Sequence, residues 1–480
     1  MEINIIGVLH KLKVKSKLGK DVLADLSLAK ESTSIGKLTN RRNYNRLNKA
    51  LEYSINILRD TKFAFKSPFS DNICICVDSY FDFYLKYTFY RFDDAGSIFY
   101  VIIGDVWQEL LAVYIPDKNI YIPLRQINNE FPKFIRRFDI YVLDNYSLIV
   151  DRLKLKNYDL VLLLKSRHFA HHIWNELTFI SELIDKKILN NISYIILLEE
   201  PLGKLEHIFT EIDETKIIRY HRLRPKSNIA FNEHLRRKRL LLCPVSGFYI
   251  KEKLSIQILK NSKNYISNNC VQEIEDVKRR FKNIVWLSFR LGARTITNMV
   301  YFYSELIQKI KECDNDTFFI VDGFSYPYSP LKRVNRSHKI TVEDEMREFS
   351  KISDLFVELN LPFKVLIGKT ISLSLSWADV TTFYVCHHGT LQHKLGWFTN
   401  VPGIIHSNTA ILTSNYSDLP GNWERENISK PLYINPEHVT DVDKPVKLRG
   451  KTTSQKSSLN YIINKKGINH IVDKFREIKS

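Results

Sequence analysis

The sequence predicts an α/β fold with two Rossmann-like domains, and three observations support this class. From about Phe138 onward, short apolar runs rich in Val, Ile, Leu and aromatic residues alternate with polar or helix-patterned stretches. This alternation is typical of parallel strands joined by helices. The length of 480 residues suits several domains, since one domain takes roughly 100–200 residues. A hydrophobic content of 44% and a charged content of 26% are those of a folded, soluble protein.

Two successive series of apolar runs predict the strands. The first series falls near residues 140–143, 160–164, 194–198, 217–220 and 240–243. The second series falls near residues 284–289, 318–321, 363–367, 382–386, 403–406 and 431–434. A long helix is predicted over 297–310, and apolar residues at i, i+3, i+4 and i+7 spacing predict an amphipathic helix over 468–478. Each series therefore predicts its own parallel sheet.

The same patterns divide the chain into four segments. Residues 1–70 form a basic, mainly helical N-terminal lead-in, and residues 71–250 form the first Rossmann-like domain, which opens with extended or antiparallel strands. Residues 251–440 form the second Rossmann-like domain, and residues 441–480 form a basic tail with the amphipathic helix. The segment Pro244-Val245-Ser246-Gly247 interrupts the first series. We expect the two domains to face each other across a cleft.

The positive charge is concentrated at the ends of the chain. The net charge of +18 comprises +7 in residues 1–50, +8 in residues 444–480 and only +3 in between. No run of about 18 apolar residues occurs, and no secretory leader precedes the lysines that begin at Lys11. We expect a cytoplasmic protein, peripheral on the inner face of the cytoplasmic membrane, whose basic termini bind an anionic membrane surface. Nucleic acid is the alternative partner for such charge.

Polar side chains are concentrated directly after the predicted strand 382–386. Helical spacing follows Gly389, so a strand, a tight turn and a helix start with Thr390 as N-cap are predicted. Ligands bind outside the carboxyl ends of parallel strands, and the free N–H groups of a helix start attract anions. The predicted binders of a diphosphate, without a metal, are His387, His388, Gly389, Thr390, Gln392, His393 and Lys394.

A second concentration of polar side chains follows the predicted strand 160–164. A helix beginning near residue 169 places residues four apart on one face, namely His168, His172 and Glu176, with His171 and Asn175 in a neighbouring row. One of these histidines is predicted to deprotonate an acceptor hydroxyl, and His172 is favoured because Glu176 is placed to orient its ring. Zinc ligation and an exposed face without a role are the alternatives.

Charged residues also end two strands of the second series. Arg290 and Arg294 follow the strand 284–289, and their forked donors suit the phosphates of a donor nucleotide. Asp322 ends the strand 318–321 and is followed by Gly323, where a carboxylate can accept ribose hydroxyls or act as a base or nucleophile. Carboxylate pairing of the arginines and a plain Asp-Gly turn are the alternatives.

Several of these features together resemble a known family of enzymes. The features are the two Rossmann-like halves, the His-rich segment with Asn175 and Glu176, the Arg290 to Arg294 stretch, Asp322-Gly323, and the His388-Gly389-Thr390 turn followed by Trp397. Over about residues 138–440 the chain resembles bacterial GT-B glycosyltransferases of surface-polysaccharide biosynthesis, such as lipopolysaccharide and capsule synthesis, and looks closest to the heptosyltransferase-like group. The turn departs from the heptosyltransferase pattern, which usually carries an acidic residue and a second Gly before its His.

The resemblance implies a reaction and a division of labour between the domains. The second domain is expected to bind a nucleotide-sugar, the first an acceptor, and no metal or other cofactor is required. The expected function is transfer of a sugar to a lipid-linked or polysaccharide acceptor in cell-surface glycan synthesis. A nucleic-acid-binding protein is the alternative from another class, and transfer of a pyruvyl or phosphoglycosyl group is the alternative within the same pathways.

Overall fold

A computed structural model describes residues 54–479 with internal gaps. The gaps are at 82–86, 105–109, 125–130, 167, 221–237, 246, 329–341, 415–424, 428–430, 443–445, 449–450 and 454–455. Residues 1–53 of the predicted helical lead-in 1–70 lie outside the described residues; residues 54–60 are helical, whereas Ala64–Lys66 is a strand. No helix in the described part of the chain is long and apolar enough to cross a membrane.

The described residues divide into two compact units. Unit 1 contains the described residues up to 166, together with 171–199 and 211–248. Unit 2 contains residues 168–170 and 200–210 and those from 249 onward. Each unit holds one parallel sheet, so the predicted α/β class with two Rossmann-like domains is confirmed.

Unit 1 begins with antiparallel strands. The hairpin pairs β1 (Ala64–Lys66) with β2 (Ile73–Ile75). A five-stranded sheet in chain order follows, formed by β3 (Asp78–Phe81), β4 (Thr88–Asp94), β5 (Ser97–Ile103), β6 (Leu110–Ile115) and β7 (Ile120–Pro123). The strands are rich in aromatic and β-branched residues, and their inner face packs on the helix Phe131–Asp144 through Phe89, Phe131 and Phe138.

The parallel sheet of unit 1 has the order β10-β9-β8-β11. Its strands are β8 (Asp159–Leu164), β9 (Tyr194–Leu197), β10 (Ile217–Arg219) and β11 (Leu240–Cys243). The α-helices of this part are Tyr146–Leu153, Phe169–His171 and Thr178–Asp185, with a π-helical stretch at His172–Leu177. The chain runs from β8 outward to β10 and then returns to β11 on the other side of β8. The direction of winding therefore changes between β8 and β11.

The parallel sheet of unit 2 has six strands in the order β14-β13-β12-β15-β16-β17. The strands are β12 (Asn283–Ser288), β13 (Thr317–Asp322), β14 (Phe363–Val365), β15 (Phe383–His387), β16 (Gly403–His406) and β17 (Leu432–Tyr433). Short antiparallel pairs follow at β18 (Val439–Val442) with β21 (Asn460–Ile463) and at β19 (Val446–Leu448) with β20 (Lys451–Thr453). In the parallel sheet, winding reverses between β12 and β15.

Helices cover both faces of this sheet. Residues of β12 alternate between two cores, with Val285 and Leu287 in one and Ile284 and Trp286 in the other. The first core is covered by the helices Met299–Cys313, Val342–Glu358 and Lys465–Lys479. The second is covered by the helices Asn268–Arg280 and Ile371–Ala378 and receives part of Thr390–Gly396. The remaining helices include Glu252–Ser262, Leu205–Ile208 and Thr409–Leu412.

Most predicted strands coincide with observed ones to within two residues, and one is wrong. Residues 140–143 belong to the helix Phe131–Asp144, whose buried residues Phe131, Phe134, Ile135 and Phe138 follow helical spacing. The predicted amphipathic helix at the C-terminal end is observed as Lys465–Lys479. Its apolar stripe is buried in the unit 2 core, at Ile468, Ile471, Val472 and Phe475. That stripe therefore serves packing.

Candidate active site

The strand ends at which unit 2 reverses its winding carry several predicted site residues. β12 and β15 are hydrogen-bonded neighbours, and both run toward the same edge of the sheet. Arg290 and Arg294 follow β12, while His388 and Gly389 follow β15. In open α/β sheets, the crevice outside such a reversal point is where ligands bind. The topology thus brings together the arginines and the turn that the sequence places about 100 residues apart.

Both arginines approach Gly389 closely. A Cβ atom at Gly389 would lie 3.4 Å from Arg290 Nη1 and 3.7 Å from Arg294 Nη2. Gly389 has φ +112°, a conformation that favours glycine, and Arg294 itself has φ 59° in the left-handed region. Arg290 Nε donates to the carbonyl oxygen of Ala293 at 2.9 Å, which fixes its guanidinium. The backbone is therefore held in an uncommon conformation where the two cations converge.

The positive charge of these two side chains is only partly compensated, because the Glu345 carboxylate opposes the fall of the Arg290 pKa. Among the residues that the structure describes, neither Arg290 nor Arg294 forms a salt bridge. Burial and the neighbouring charge of Arg294 lower the pKa of Arg290 to about 9, and burial lowers the pKa of Arg294. Removing a cation from water costs free energy unless an anion compensates. The pair is thus electrostatically prepared for an anionic ligand.

The two histidines before Gly389 are held neutral. Burial, followed by the charges of Arg294 and Arg290, lowers the pKa of His388 to about 3. Burial, then the neighbouring His406, and then the Arg290 charge lower the pKa of His387 well below its ordinary value. His387 Nδ1 lies 3.0 Å from Ser288 Oγ, and His388 Nδ1 lies 3.0 Å from Tyr433 Oη. Both rings are fixed by hydroxyl groups.

His406 belongs to the same group of residues, and the sequence analysis missed it. It ends β16 and is in register with His387, which ends β15. The ring centroids of the two histidines lie 4.4 Å apart. The signal was available, because the predicted strand 403–406 ends in a histidine and the predicted strand 382–386 is followed directly by one. Residues at the ends of neighbouring parallel strands meet at one edge of the sheet.

The contacts of Lys394 favour a structural role over the predicted phosphate-binding role. Lys394 is 1% exposed, and its Nζ lies 2.6 Å from Asp322 Oδ2. The same ammonium group donates to the Gly323 carbonyl oxygen and to Ser325 Oγ, both at 2.8 Å. Three acceptors occupy the three N–H groups of a lysine, so none is left for a phosphate.

Asp322 is likewise committed to this ion pair. It is fully buried, and Ser374 Oγ donates to its second oxygen at 3.2 Å. Burial raises the pKa of Asp322, whereas Lys394 opposes the rise. The predicted roles of Asp322 as base, nucleophile or ribose ligand do not fit these contacts. The pair joins the end of β13 to the helix Thr390–Gly396.

The other predicted residues of this segment lie on that short helix. Gly389, rather than Thr390, is the N-cap, and Thr390 is the first helical residue. His393 stacks on the buried Trp397, which caps the end of the helix, with ring centroids 3.9 Å apart at i, i+4 spacing. Gln392 is 4% exposed, and its Oε1 has no hydrogen-bond partner among the described residues. A helix of seven residues has a weak dipole, so the arginines carry the positive charge here.

In unit 1, Glu176 orients the ring of His172. His172 Nδ1 lies 2.7 Å from Glu176 Oε2, and both side chains are buried. Glu176 Oε1 accepts hydrogen bonds from the backbone N–H groups of Lys165 and Ser166, at 2.7 and 2.9 Å. These two residues directly follow β8, so the carboxylate ties the helix to the strand end. His172 also begins the π-helical stretch His172–Leu177, a geometry often found at functional sites.

The neighbouring row forms a separate connection. His171 Nδ1 lies 3.1 Å from Asn175 Oδ1, and Asn175 Nδ2 donates to the Gly247 carbonyl oxygen at 3.0 Å. Gly247 follows β11, so this contact spans the point where unit 1 reverses its winding. His168 is exposed and stacks on Phe169, with ring centroids 5.9 Å apart. Of the predicted face of three residues, the structure joins only His172 and Glu176.

Within the described residues, no three or more His, Cys, Asp or Glu side chains are grouped so as to hold a metal ion.

No family model matches the sequence, and no curated protein matches it. The comparison with solved structures gives matches of low similarity. The accessory secretory protein 1, 2 and 3 structure of Streptococcus pneumoniae is 12% identical with a TM-score of 0.23, covering 72% of this chain and 57% of that one.

Two further structures have similar values. A glycosyltransferase from Rickettsia africae is 12% identical with a TM-score of 0.23, covering 65% of this chain and 69% of that one. A TarM variant of Staphylococcus aureus, in complex with UDP and glycan ligands, is 10% identical with a TM-score of 0.22. The match to TarM covers 94% of this chain and 78% of that one.

Proposed function

We propose that the protein is a glycosyltransferase that transfers a sugar from a nucleotide-sugar donor to a lipid-linked or polysaccharide acceptor in bacterial cell-surface glycan synthesis. In this proposal, unit 2 binds the donor and unit 1 supplies the catalytic base. The single observation that carries it is the convergence of Arg290 and Arg294 on Gly389, with no salt bridge to either arginine among the described residues, at the edge of a parallel sheet where its winding reverses.

The diphosphate of the donor suits this pair better than a carboxylate does. Two guanidinium groups carry two positive charges and many N–H donors in fixed forks, which match phosphate oxygens. The pKa of Arg290 is lowered by burial and by the charge of Arg294. An anion between the two arginines offsets both the desolvation of the guanidinium groups and the repulsion between them. When the sugar is transferred, negative charge develops on the leaving diphosphate. Prearranged cations stabilise that charge without reorganising, which lowers the barrier.

His172 has the arrangement of a general base. When Nδ1–H donates to Glu176, the lone pair lies on Nε2, which can accept a proton from an acceptor hydroxyl. Glu176 cannot rotate away, because the backbone N–H groups of Lys165 and Ser166 hold its other oxygen. The carboxylate then compensates the positive charge that forms on the ring. Residues of unit 1 thus provide proton transfer, while unit 2 binds the leaving group.

The acceptor and the membrane association rest on charge. The excess of positive charge in residues 1–50 and 444–480, +7 and +8, suits the anionic surface on which lipid-linked acceptors are held. A nearly neutral body with basic ends binds such a surface without requiring a membrane-spanning helix. Salt should weaken this binding, because exposed charges are screened beyond about 8–10 Å.

Donor binding is tested by isothermal titration of the full chain with UDP, GDP, ADP and CMP. We expect at least one nucleoside diphosphate to bind, and Arg290→Gln to weaken that binding by tenfold or more, since a charged hydrogen bond contributes about 1.5–3 kcal/mol. Arg279→Gln is the matched control, because Arg279 is an exposed helical arginine already paired with Asp276. If wild-type protein binds none of the nucleotides, or both variants bind equally, the donor site is refuted.

Catalysis by His172 is tested with the donor and acceptor that such a screen identifies. Replacing a general base typically lowers turnover about 10²–10⁴-fold, so His172→Gln should lose turnover while its donor affinity stays unchanged. His171→Gln is the control, since His171 contacts the neutral Asn175 side chain instead of a carboxylate. Turnover of His172→Gln within threefold of wild type would exclude the base role.

A further inference from the structure

Two imidazole nitrogens lie buried without a partner beside the arginine pair. His387 is 1% exposed and His406 is fully buried, yet the Nε2 atom of each has no hydrogen-bond partner among the described residues. Ser407 Oγ, next along the chain, also lacks one. A buried polar group without a partner is costly and uncommon in folded proteins. At these adjacent strand ends, a ligand with hydrogen-bonding groups would satisfy several buried polar atoms at once.

The contacts of His387 allow the ring proton to be placed on Nε2. The backbone N–H of His387 donates to Ser288 Oγ at 2.8 Å, and Ser288 Oγ, which keeps its own hydrogen, lies 3.0 Å from His387 Nδ1. With that hydrogen directed to Nδ1, the proton of a neutral imidazole is on Nε2, which makes the unpartnered atom an N–H donor.

The same reasoning applies to His406. Its Nδ1 lies 2.7 Å from Tyr461 Oη. Burial raises the pKa of Tyr461, so the phenol keeps its hydrogen at physiological pH. Burial lowers the pKa of His406 to about 3, so the ring is neutral at physiological pH. With the phenol hydrogen directed to Nδ1, His406 Nε2 is a second buried N–H donor, on a ring whose centroid is 4.4 Å from that of His387.

Both donors belong to the strand-end region that holds the arginines. His387 is two residues before Gly389, which both guanidinium groups approach, and the charges of Arg290 and Arg294 act on His387. We infer that His387 and His406 are neutral hydrogen-bond donors to the phosphate groups of the donor, and that their Nε2–H groups complete the anion site formed by Arg290 and Arg294. This inference rests on the proposed function and adds His406 to the site.

The chemistry of the group identifies the class of ligand. Two neutral N–H donors and two guanidinium groups offer hydrogen bonds but hardly any acceptors, so the complementary ligand is rich in acceptors and has no donors. Phosphate oxygens meet this description. Neutral imidazoles add donors without adding to the repulsion between the arginines. The four side chains offer more N–H donors than the oxygens of a single phosphate can accept. The site is therefore expected to bind a diphosphate more tightly than a monophosphate.

Paired substitutions separate ligand binding from a structural role. The side-chain amide of asparagine reaches only the position of Nδ1, so His406→Asn can keep the hydrogen bond from Tyr461 but loses the Nε2 donor. The amide of glutamine reaches the position of Nε2, so His406→Gln can keep a donor there but loses the Nδ1 contact. His438→Asn is the control, because His438 also has an unpartnered ring nitrogen, on Pro436–His438 and away from the arginines.

The probes are inorganic pyrophosphate, inorganic phosphate and UDP, titrated into the full chain. We expect His406→Asn to weaken pyrophosphate binding about 10- to 150-fold, the range for one hydrogen bond to a charged group, and His406→Gln to stay within severalfold of wild type. The control should bind as wild type does. Wild-type protein should bind pyrophosphate more tightly than phosphate. Melting temperatures are recorded alongside to show that each variant is folded. If a His406 variant is unfolded, the corresponding Asn and Gln substitutions at His387 test the inference instead.

Two results overturn the inference, and they differ from failure of the proposed function. If His406→Asn and His387→Asn bind pyrophosphate within twofold of wild type while Arg290→Gln does not, the two histidines do not contact the phosphates. The inference is then refuted, while the proposed function stands. If the Gln variants lose binding and the Asn variants keep it, the histidines are structural. If wild-type protein binds neither pyrophosphate nor UDP and no other nucleotide, the donor site itself is refuted.

Discussion

Replacing Lys394 with methionine should destabilise unit 2 strongly while leaving nucleotide binding unchanged. Lys394 and Asp322 form an ion pair at 2.6 Å with side-chain exposures of 2% and 0%. Methionine removes the ammonium group but keeps much of the side-chain volume. The Asp322 carboxylate is then left buried without its charged partner, with Ser374 as its remaining side-chain donor.

The size of the effect follows from this burial. Removing one partner of a buried ion pair typically costs about 3–5 kcal/mol, because the remaining charge is desolvated and uncompensated. An exposed ion pair at the same distance contributes only about 0–1 kcal/mol. Lys351 and Glu348 provide that comparison, with a distance of 2.7 Å and side-chain exposures of 50% and 27%. Lys351→Met should therefore cost less than about 1 kcal/mol.

Urea unfolding followed by tryptophan fluorescence measures both variants. Trp286, Trp377 and Trp397 are fully buried in unit 2 and report its unfolding. The double variant Lys394→Met/Asp322→Asn removes both charges and should recover part of the lost stability. Lowering the pH should also relieve Lys394→Met. Burial raises the pKa of Asp322, and the loss of Lys394 raises it further, so the folded variant binds a proton that the unfolded chain still lacks above about pH 4.

Two outcomes would refute this reasoning. If Lys394→Met is no less stable than Lys351→Met, the ion pair contributes nothing and its burial is not as described. If Lys394→Met stays stable and loses nucleotide affinity, the lysine binds phosphate as the sequence alone suggested. The measurement thus decides between the role that the sequence predicts and the role that the contacts indicate.

Two further predictions concern stability. Gly247→Ala should destabilise unit 1 by about 1–3 kcal/mol or more in urea unfolding, because the new Cβ would lie 1.9 Å from Thr178 Oγ1. Gly396→Ala, whose Cβ meets nothing within 4 Å, should change stability by less than about 1 kcal/mol, and an equal loss in both would contradict the packing argument. Burial lowers the pKa of His406 to about 3 in the folded protein, whereas the ordinary value is about 6.5. As the pH falls from 7 to 5, His406 is therefore protonated in the unfolded chain but stays neutral in the folded protein. This difference should lower the free energy of unfolding by about 2 kcal/mol over that range. The decline over that range should be smaller in His406→Asn, and an identical decline would show that His406 titrates normally.

The strands could be predicted because their signal is local. β15 and β16 are apolar runs ended by polar residues, and a buried parallel strand requires such a run wherever it lies in the chain. Residues 140–143 have the same composition, yet they extend a helix whose apolar residues lie upstream at Phe131 and Phe134. A short apolar run does not show whether a segment is a strand or the end of a helix. The structure depends on whether a neighbouring strand is present to pair with it.

The site could be predicted only in part, because its contacts join distant residues. The sequence places Lys394 among other donors, but its partner Asp322 is 72 residues away, and whether a lysine meets a carboxylate or a phosphate depends on the sheet order. His406 was missed although it ends a predicted strand. Its importance arises from register with His387, and register between parallel strands is not visible in either strand alone.

In the proposed function, the two units use histidine in opposite ways, and the surroundings of each histidine explain why. Beside His172 there is a buried carboxylate, which holds the ring by Nδ1 and compensates positive charge when Nε2 takes up a proton. Beside His387 and His406 there are hydroxyl groups, and burial disfavours a proton on either ring, while the charges of Arg290 and Arg294 also disfavour one on His387. A base must be able to become charged, whereas a neutral donor to an anion must not. The same side chain therefore suits proton transfer in unit 1 and phosphate binding in unit 2, which is the division of chemistry that sugar transfer from a nucleotide requires.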